Sequence, residues 1–209
     1  MLKNIKNIIF DLGEVIVDLD FNRTEQAFTN LFNVPAHQLY SYHKQNHLFD
    51  DLETGKISPS EFRNSLKKNL PKNTITDREI DDAWNAMLLD ISSQKIELVK
   101  KLRQNYQTFV LSNTNKIHID YVDQQMLPKH NLKSLNEIFD FVYYSHIIKH
   151  RKPDKEAYTF ILDKHNLTPQ QTLFIDDKAE NIESARNLNM HTWHLTNRND
   201  LYKIDEILV

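Results

Sequence analysis

The sequence predicts an α/β protein with a doubly wound parallel sheet and an inserted helical domain. Residues 8–10 form an apolar run of the length of a buried strand. Residues 21 to about 90 show almost only helical patterns. From Ser92 onward, helical patterns alternate with short β-branched or aromatic runs, which is typical of βαβ units. We therefore predict a core of residues 1–19 and 92–209 and an inserted domain of residues 20–91.

The first predicted strand leads directly into Asp11 and then, two residues later, into Gly13. The chain has 2 glycines in 209 residues, whereas average usage is about 7%. Gly13 therefore indicates either a backbone conformation that other residues avoid or a close approach to a ligand. Ligands of open parallel sheets bind just past the carboxyl ends of the strands. Asp11 is expected at such a place.

The inserted domain carries clear helix signals. Residues 21–32 place their apolar side chains on one helical face, and the pattern is expected to end at residues 34–35. Residues 58–61 and 76–79 carry capping-box signatures, each followed by an apolar helical pattern. We expect Phe28, Phe32 and Trp84 in the core of this domain and not on a ligand surface.

The second half of the chain is predicted to alternate between helices and strands. Helices are expected near residues 96–102, 115–127 and 157–162 and up to about residue 188. Strands are expected at residues 108–111, 139–144, 172–175 and 192–195. Pro153 is expected in the first turn of the third of these helices, a position that proline favours.

Composition excludes several functions. The net charge of −3 and the absence of a long like-charge run argue against nucleic-acid and acidic-membrane partners. Without cysteine, any metal must be bound by oxygen or imidazole. No apolar run approaches the roughly 18 residues of a membrane span, and residues 1–11 do not resemble a secretory signal. We expect a soluble, cytoplasmic protein that is a monomer or a weak homodimer.

Polar residues stand at or near the ends of the predicted strands. They are Asp11, Ser112 with Asn113, Lys152, which precedes a helix, and Asp176 with Asp177. Such ends converge along one edge of a parallel sheet. This set combines a carboxylate that could attack, a hydroxyl and an amide that could bind oxyanions, an ammonium group, and oxygen ligands for a hard cation. Phosphoryl transfer requires these groups.

The order of these motifs resembles the haloacid dehalogenase superfamily. Residues 10–15 (FDLGEV), 111–113 (LSN), 151–153 (RKP) and 174–177 (FIDD) resemble its four motifs. The inserted helical domain is similar to the cap of the first type in that family, and the core would be Rossmann-like. Residues 10–23 and 112–115 look most similar to the bacterial α-D-glucose-1-phosphate phosphatase group.

The resemblance implies a Mg²⁺-dependent phosphatase that acts on a small phosphorylated metabolite, such as glucose-1-phosphate. Asp11 would be the nucleophile that forms an aspartyl-phosphate. Asp11, the Gly13 carbonyl and Asp177 would hold Mg²⁺, with Asp176 nearby and Asn181 orienting the metal ligands. Phosphate would be bound by Ser112, Asn113 and Lys152, of which Ser112 and Lys152 also serve catalysis. Glu14 and Arg23 are further candidates for substrate binding.

Gly13 is a departure from the family pattern. Phosphatases of this family usually carry an aspartate there, which protonates the leaving group and then activates water. Such acid–base help contributes about 10² to 10⁴ in rate. Substitute candidates are Glu14, His43 and His47. An anomeric or acyl phosphate would need less protonation, which fits a sugar-1-phosphate substrate.

Two alternatives remain open from the sequence. A 2-haloacid dehalogenase uses the same nucleophile without a metal, but a cation at Asp176 and Asp177 has no role in that displacement. A catalytically weak regulatory or binding protein is the other alternative, supported by the missing acid–base aspartate.

Overall fold

A computed structural model describes residues 2–33, 47–68 and 75–208. The central element within these ranges is a five-stranded sheet in the order β5-β4-β1-β6-β7. All of its neighbouring strands pair in parallel. The predicted doubly wound core is therefore confirmed. The strands are β1 (Asn7–Phe10), β4 (Gln107–Ser112), β5 (Phe141–Tyr144), β6 (Thr172–Asp176) and β7 (His191–His194).

The sheet is buried on both faces, as expected where helices cover a parallel sheet. Ile8 and Phe10 of β1 pack into one hydrophobic cluster, whereas Ile9 packs into the other. Because β1 is the middle strand, its carboxyl end lies between the ends of β4 and β6. The helices of this part are α5 (Ser93–Leu102), α6 (Lys116–Tyr121), α7 (Ser145–Ile148), α8 (Lys155–Lys164), α9 (Ala179–Asn187) and α10 (Ile204–Ile207).

Among the described residues between β1 and α5, four helices form the helical insertion, which we call the cap. They are α1 (Phe21–Phe32), α2 (Leu48–Glu53), α3 (Pro59–Lys67) and α4 (Asp77–Asn85). The capping boxes predicted at Ser58 and Thr76 are both present. Phe28, Phe32 and Trp84 are buried in one cluster, as predicted. The helix end expected at residues 34–35 and the candidate His43 lie outside the described residues.

A short antiparallel ribbon joins the cap to the core, and the sequence did not indicate it. Strand β2 (Val17–Leu19) pairs with β3 (Leu88–Ile91). The helical interpretation of residues 21 to about 90 was therefore wrong at its end. These strands have only three and four residues and are partly exposed, so their apolar pattern is weak. The predicted domain boundaries fall at the ends of this ribbon and stay a prediction.

Two helix predictions differ from the structure. Helix α8 begins at Lys155 with Asp154 as its N-cap, so Pro153 precedes the helix and does not stand in its first turn. The Lys152–Pro153 peptide bond is cis. One α-helix was expected over residues 115–127. The α-helix α6 ends at Tyr121, and a π-helical turn follows it. None of the helices in the described ranges combines the length and apolar composition needed to cross a membrane.

Gly55 lies where the cap touches the core. Its φ is +62°, and a Cβ atom there would collide with the carbonyl oxygen of His146. The Lys149 ammonium also donates to the Gly55 carbonyl at 2.8 Å. Only glycine combines this conformation with so close an approach.

We expect Gly55→Ala to lower the free energy of unfolding by about 2 kcal/mol, because it adds left-handed strain to a collision with backbone. Urea denaturation measures the change. The control is Lys56→Ala, which loses only a 3.4 Å surface ion pair with Asp51 and should cost less than about 0.5 kcal/mol. Equal losses for the two variants would contradict the tight contact.

Candidate active site

The predicted polar residues meet at one end of the sheet. Asp11 directly follows β1, Ser112 ends β4 and Asp176 ends β6. A cavity of about 520 Å³ opens here between the cap and the core. It is lined by Asp11, Gly13, Ser112, Asn113, Lys152 and Asp177, among others. The convergence predicted from the strand ends is thus what the structure shows.

Lys152 connects two of the carboxylates. Its ammonium lies 2.8 Å from Oδ1 of Asp11 and 2.7 Å from Oδ2 of Asp176. The lysine side chain is 1% exposed. A buried ammonium needs such partners, because an unpaired charge in the interior is very costly. The backbone amide of Leu12 also donates to Oδ1 of Asp11, at 2.6 Å, so the Asp11 carboxylate is held in one orientation.

Two asparagines hold these groups in place. The Asn113 side chain accepts from the Lys152 backbone amide at 2.8 Å and donates to the Lys152 carbonyl at 2.7 Å. Asn181 donates to both carboxylate oxygens of Asp176, at 2.9 and 3.0 Å. The Asn113 side chain therefore fixes the backbone that carries the lysine. Asn181 orients a carboxylate of the cluster, which is the geometry that the sequence analysis expected of it.

The site has more negative than positive charge. Burial raises the pKa of Asp11 to about 7, against the opposing effect of Lys152. Burial and then the charge of Asp176 raise the pKa of Asp177. Burial alone would lower the pKa of Lys152, but the Asp11 and Asp176 carboxylates outweigh it and raise that pKa. One ammonium does not balance three neighbouring carboxylates.

This imbalance and the donor atoms fit a divalent cation. One carboxylate oxygen from each of Asp11, Asp176 and Asp177 can be chosen so that all three lie within 4.8 Å of one another. Hard cations such as Mg²⁺ prefer oxygen ligands and commonly use one or two carboxylates. The residues present therefore fit a magnesium site.

Gly13 and Ser112 also line the cavity. The Gly13 backbone does not lie in the left-handed region. The neighbouring residue Glu14 does, with a φ of 57°. A Cβ at Gly13 would instead approach Cδ1 of Leu19 to 2.9 Å, which is the tip of a flexible side chain that can shift. Ser112 is 3% exposed and ends a strand of the sheet, which places its hydroxyl group on rigid backbone.

Glu14 and Arg23 are placed differently from the cluster of carboxylates and Lys152. Oε1 of Glu14 accepts from the Leu19 amide at 3.0 Å, and Oε2 lies 3.8 Å from Nη1 of Arg198. Glu14 lines the cavity, but these partners hold its carboxylate. Arg23 is 62% exposed, lies 3.5 Å from Asp20 and does not line the cavity. The structure therefore does not bring Arg23 to the site.

The cap side of the cavity carries charged residues to which the sequence analysis assigned no role, beside the candidate acid His47. Arg151 lies 2.7 Å from Oδ1 of Asp50 and 3.0 Å from Oε2 of Glu53, both on α2. Burial raises the pKa of Glu53 despite Arg151. His47 also lines the cavity, 3.6 Å from Asp50. Arg151 directly precedes Lys152, so this ion pair ties the cap to the segment that carries the buried lysine.

His118 is a second residue that the sequence analysis missed. It lies on α6, is 8% exposed and lines the cavity. Its Nδ1 is 2.8 Å from Oδ1 of Asn85 in the cap, and its ring stacks on Trp84 with centroids 4.8 Å apart. Burial lowers the pKa of His118 from 6.5 to about 3. Its apolar neighbours Ile117 and Ile119 are the only local signal of this burial.

His118 should make stability depend on pH. Below pH 6.5 the unfolded chain binds a proton at His118, whereas the folded chain does not until about pH 3. The stabilisation is therefore complete above pH 6.5 and is lost as pH falls. Between pH 7 and pH 5, we expect the wild type to lose about 2 kcal/mol more unfolding free energy than His118→Gln. Urea denaturation at both pH values measures this difference, and equal losses would refute a neutral buried imidazole.

Fold and site together define a class of protein. A parallel α/β core presents an aspartate after its first strand, a buried lysine beside it and a carboxylate cluster that fits a cation, all beneath a helical cap. This arrangement is typical of a hydrolase. The chain belongs to the haloacid dehalogenase-like hydrolase family, whose sequence pattern matches residues 5–189.

Several known proteins are similar to this chain over most of its length. A D-ribitol-5-phosphate phosphatase from Bacteroides thetaiotaomicron is 33% identical over 94% of both chains. A solved structure of an enzyme of this family from Bacteroides thetaiotaomicron, in complex with magnesium and inorganic phosphate, is 33% identical, covers 90% of this chain and 93% of its own, and has a TM-score of 0.83. The L-2-haloacid dehalogenase from Xanthobacter autotrophicus, at 15% identity, coverage of 90% and 76% and a TM-score of 0.58, shares the fold alone.

Proposed function

We propose that this protein is a Mg²⁺-dependent phosphatase that hydrolyses a small phosphorylated sugar or sugar alcohol through an aspartyl-phosphate on Asp11. The observation that carries the proposal is the cluster of three carboxylates around one fully buried ammonium group. A divalent cation would supply the positive charge that this cluster lacks, and the cation and Lys152 together would then attract an anionic phosphoryl group. The relative named as a D-ribitol-5-phosphate phosphatase supports the reaction class and the type of substrate.

The Asp11 carboxylate forms a bond to phosphorus while the bond from phosphorus to the leaving oxygen breaks, and the leaving oxygen takes a proton from water. Water then attacks the aspartyl-phosphate, the Asp11–phosphorus bond breaks and inorganic phosphate leaves. Lys152 holds Asp11 and offsets negative charge on the phosphoryl group. The Ser112 hydroxyl and the Asn113 backbone amide donate to its oxygens. When bound by Asp11, the Gly13 carbonyl and Asp177, with Asp176 nearby, Mg²⁺ supplies electrostatic stabilisation of the same charge.

The cavity limits the size of the substrate, and the cap covers it. A volume of about 520 Å³ lies in the range typical of small-ligand sites. Closure of the cap over the core would exclude water from the reacting phosphoryl group. The narrower assignment to α-D-glucose-1-phosphate rests on resemblance at residues 10–23 and stays a prediction beside D-ribitol-5-phosphate.

The test is phosphate release from D-ribitol-5-phosphate, α-D-glucose-1-phosphate and acetyl phosphate, with Mg²⁺ and with a chelator. We expect release that requires Mg²⁺. Halide release from 2-chloropropionate in the presence of chelator would instead favour a dehalogenase. No turnover of any phosphate or of the haloacid, with Mg²⁺ binding intact, would favour a binding protein.

Gly13 should limit turnover of poor leaving groups. No proton donor stands at that position, and the carboxylate of nearby Glu14 is held by Leu19 and Arg198. We expect Gly13→Asp to raise the turnover of an alkyl phosphate, within the range of about 10² to 10⁴ that acid–base groups contribute, once the Leu19 tip has moved. The increase should be much smaller for acetyl phosphate, which needs no protonation to leave.

The matched control is Gly13→Asn, which places the same volume beside Leu19 but cannot donate a carboxylic proton. Steady-state rates for both phosphates separate the two effects. If Gly13→Asp and Gly13→Asn change the alkyl phosphate rate alike, the missing proton donor does not limit this enzyme.

A further inference from the structure

The cap side of the cavity differs in chemistry from the catalytic side. It is apolar over much of its area, with Phe21, Phe49, Trp84, Met87 and Leu88 among its lining residues. His118, on core helix α6, adjoins this wall by stacking on Trp84 and is a neutral polar group. The phosphoryl group belongs at the strand ends with Lys152, so the apolar wall faces the part of a substrate that leaves.

The hydrogen bond of His118 defines which of its nitrogens is available. Nδ1 lies 2.8 Å from the side-chain oxygen of Asn85, which accepts only, so Nδ1 carries the proton and Nε2 bears a lone pair. Within the described ranges 2–33, 47–68 and 75–208, Nε2 has no hydrogen-bond partner. This atom is not fully buried. Nε2 therefore remains accessible as an acceptor.

The ring is held firmly in this orientation. Asn115 accepts from the backbone amides of Ile117 and His118, at 3.0 and 3.2 Å, and so caps the first turn of α6. Trp84 stacks on the imidazole at 4.8 Å. Trp84 and Asn85 belong to the cap, whereas His118 belongs to the core, so the acceptor is oriented only when cap and core are in contact.

A neutral acceptor in an apolar wall selects a particular ligand group. A hydroxyl group can donate to it, whereas a carboxylate or phosphate presents only acceptors and gains nothing. An apolar leaving group would cover Nε2 without pairing it, and a buried unpaired acceptor is costly. Sites built to bind a hydroxyl group discriminate strongly against analogues that lack it.

We propose that Nε2 of His118 accepts a hydrogen bond from a hydroxyl group of the leaving alcohol, with Asn85 as the positioning residue that sets the ring tautomer. The cavity thereby selects phosphates of polyhydroxylated alcohols over phosphates of apolar alcohols. This inference rests on the proposed phosphatase function. It goes beyond that function because it assigns recognition of the leaving group to a pair of residues that bridges cap and core.

The experiment compares D-ribitol-5-phosphate with n-pentyl phosphate, which has the same carbon chain without hydroxyl groups. In His118→Phe, which keeps a stacking ring, we expect kcat/KM for D-ribitol-5-phosphate to fall on the order of 10- to 100-fold. The value for n-pentyl phosphate should not fall, and it should rise because the variant no longer buries an unpaired acceptor against the apolar chain. The control is His191→Phe on β7, a histidine that does not line the cavity, which should alter neither substrate.

Asn85 supplies a second pair of variants. Asn85→Asp keeps an oxygen acceptor for Nδ1 and should retain the preference for D-ribitol-5-phosphate, whereas Asn85→Leu should lose it. Circular dichroism and thermal unfolding establish that each variant is folded. A ¹⁵N NMR spectrum of the wild type should show the proton of His118 on Nδ1.

The outcomes test the assignment of His118 separately from the proposed phosphatase function. Loss confined to the hydroxylated substrate supports the assignment. Equal losses on both substrates, or no loss on either, overturn it while leaving the phosphatase function intact. If the wild type releases phosphate from neither compound nor from acetyl phosphate, the proposed function itself fails, and this inference fails with it.

Discussion

Asp11→Asn should reduce Mg²⁺-dependent phosphate release to below about 10⁻³ of the wild-type rate. An amide is a far weaker nucleophile than a carboxylate, and it cannot complete the charge balance with Lys152, whose ammonium lies 2.8 Å from Asp11. The substitution preserves shape, so the fold should persist. Steady-state phosphate release from D-ribitol-5-phosphate and acetyl phosphate measures the effect.

The control for this variant is Asp205→Asn, which removes an exposed carboxylate paired with Lys101 on the surface. It should keep the wild-type rate within about 2-fold. An Asp11→Asn enzyme that retained a tenth or more of the wild-type rate, with no return of aspartate by deamidation, would show that Asp11 does not attack the substrate.

Lys152→Met should lower the unfolding free energy by about 3 to 5 kcal/mol without Mg²⁺. The lysine side chain is 1% exposed and is the ammonium partner of Asp11 and Asp176, so its removal leaves two buried carboxylates without a cation. Added Mg²⁺ should recover part of this loss, because it replaces the missing positive charge among the same carboxylates. Urea denaturation with and without Mg²⁺ measures both quantities, and phosphate release should fall by about 10² or more.

Lys95→Met is the matched control. Lys95 is also buried, with 2% exposure of its side chain, and pairs with Asp18 at 2.7 Å. Its loss should destabilise the protein by a comparable mechanism, but Mg²⁺ should leave the stability difference between this variant and the wild type unchanged, since Asp18 is not part of the carboxylate cluster. Equal recovery in both variants would mean that the cation does not act at the Lys152 site.

The cluster of Asp11, Lys152 and Asp176 could be predicted from sequence because parallel topology brings strand ends together. Asp11 and Asp176 stand at or just past the ends of buried apolar runs, and the alternation of helices and strands places those ends at one edge. The Lys152 ammonium was harder to place, since the expected helix start at Pro153 was wrong. Its position depends on Asn113, which holds its backbone from another loop.

Contacts between cap and core could not be read from sequence, because they join distant residues through tertiary packing. Arg151 pairs with Asp50, which lies 101 positions away in the chain. No sequence pattern predicts this pairing. The pairing of His118 with Asn85 is of the same kind. The ribbon of β2 and β3 was missed because its strands are too short for periodicity to separate them from helix.

Phosphorylation of Asp11 tests the central claim most directly. The protein is mixed with Mg²⁺ and D-ribitol-5-phosphate or acetyl phosphate, quenched in acid within one turnover, and digested for mass spectrometry of the peptide that contains Asp11. The account predicts one phosphoryl group on Asp11 that appears and decays at rates compatible with turnover. Phosphate release at full rate with no phosphoryl group ever detected on Asp11, and with Asp11→Asn still active, would contradict it.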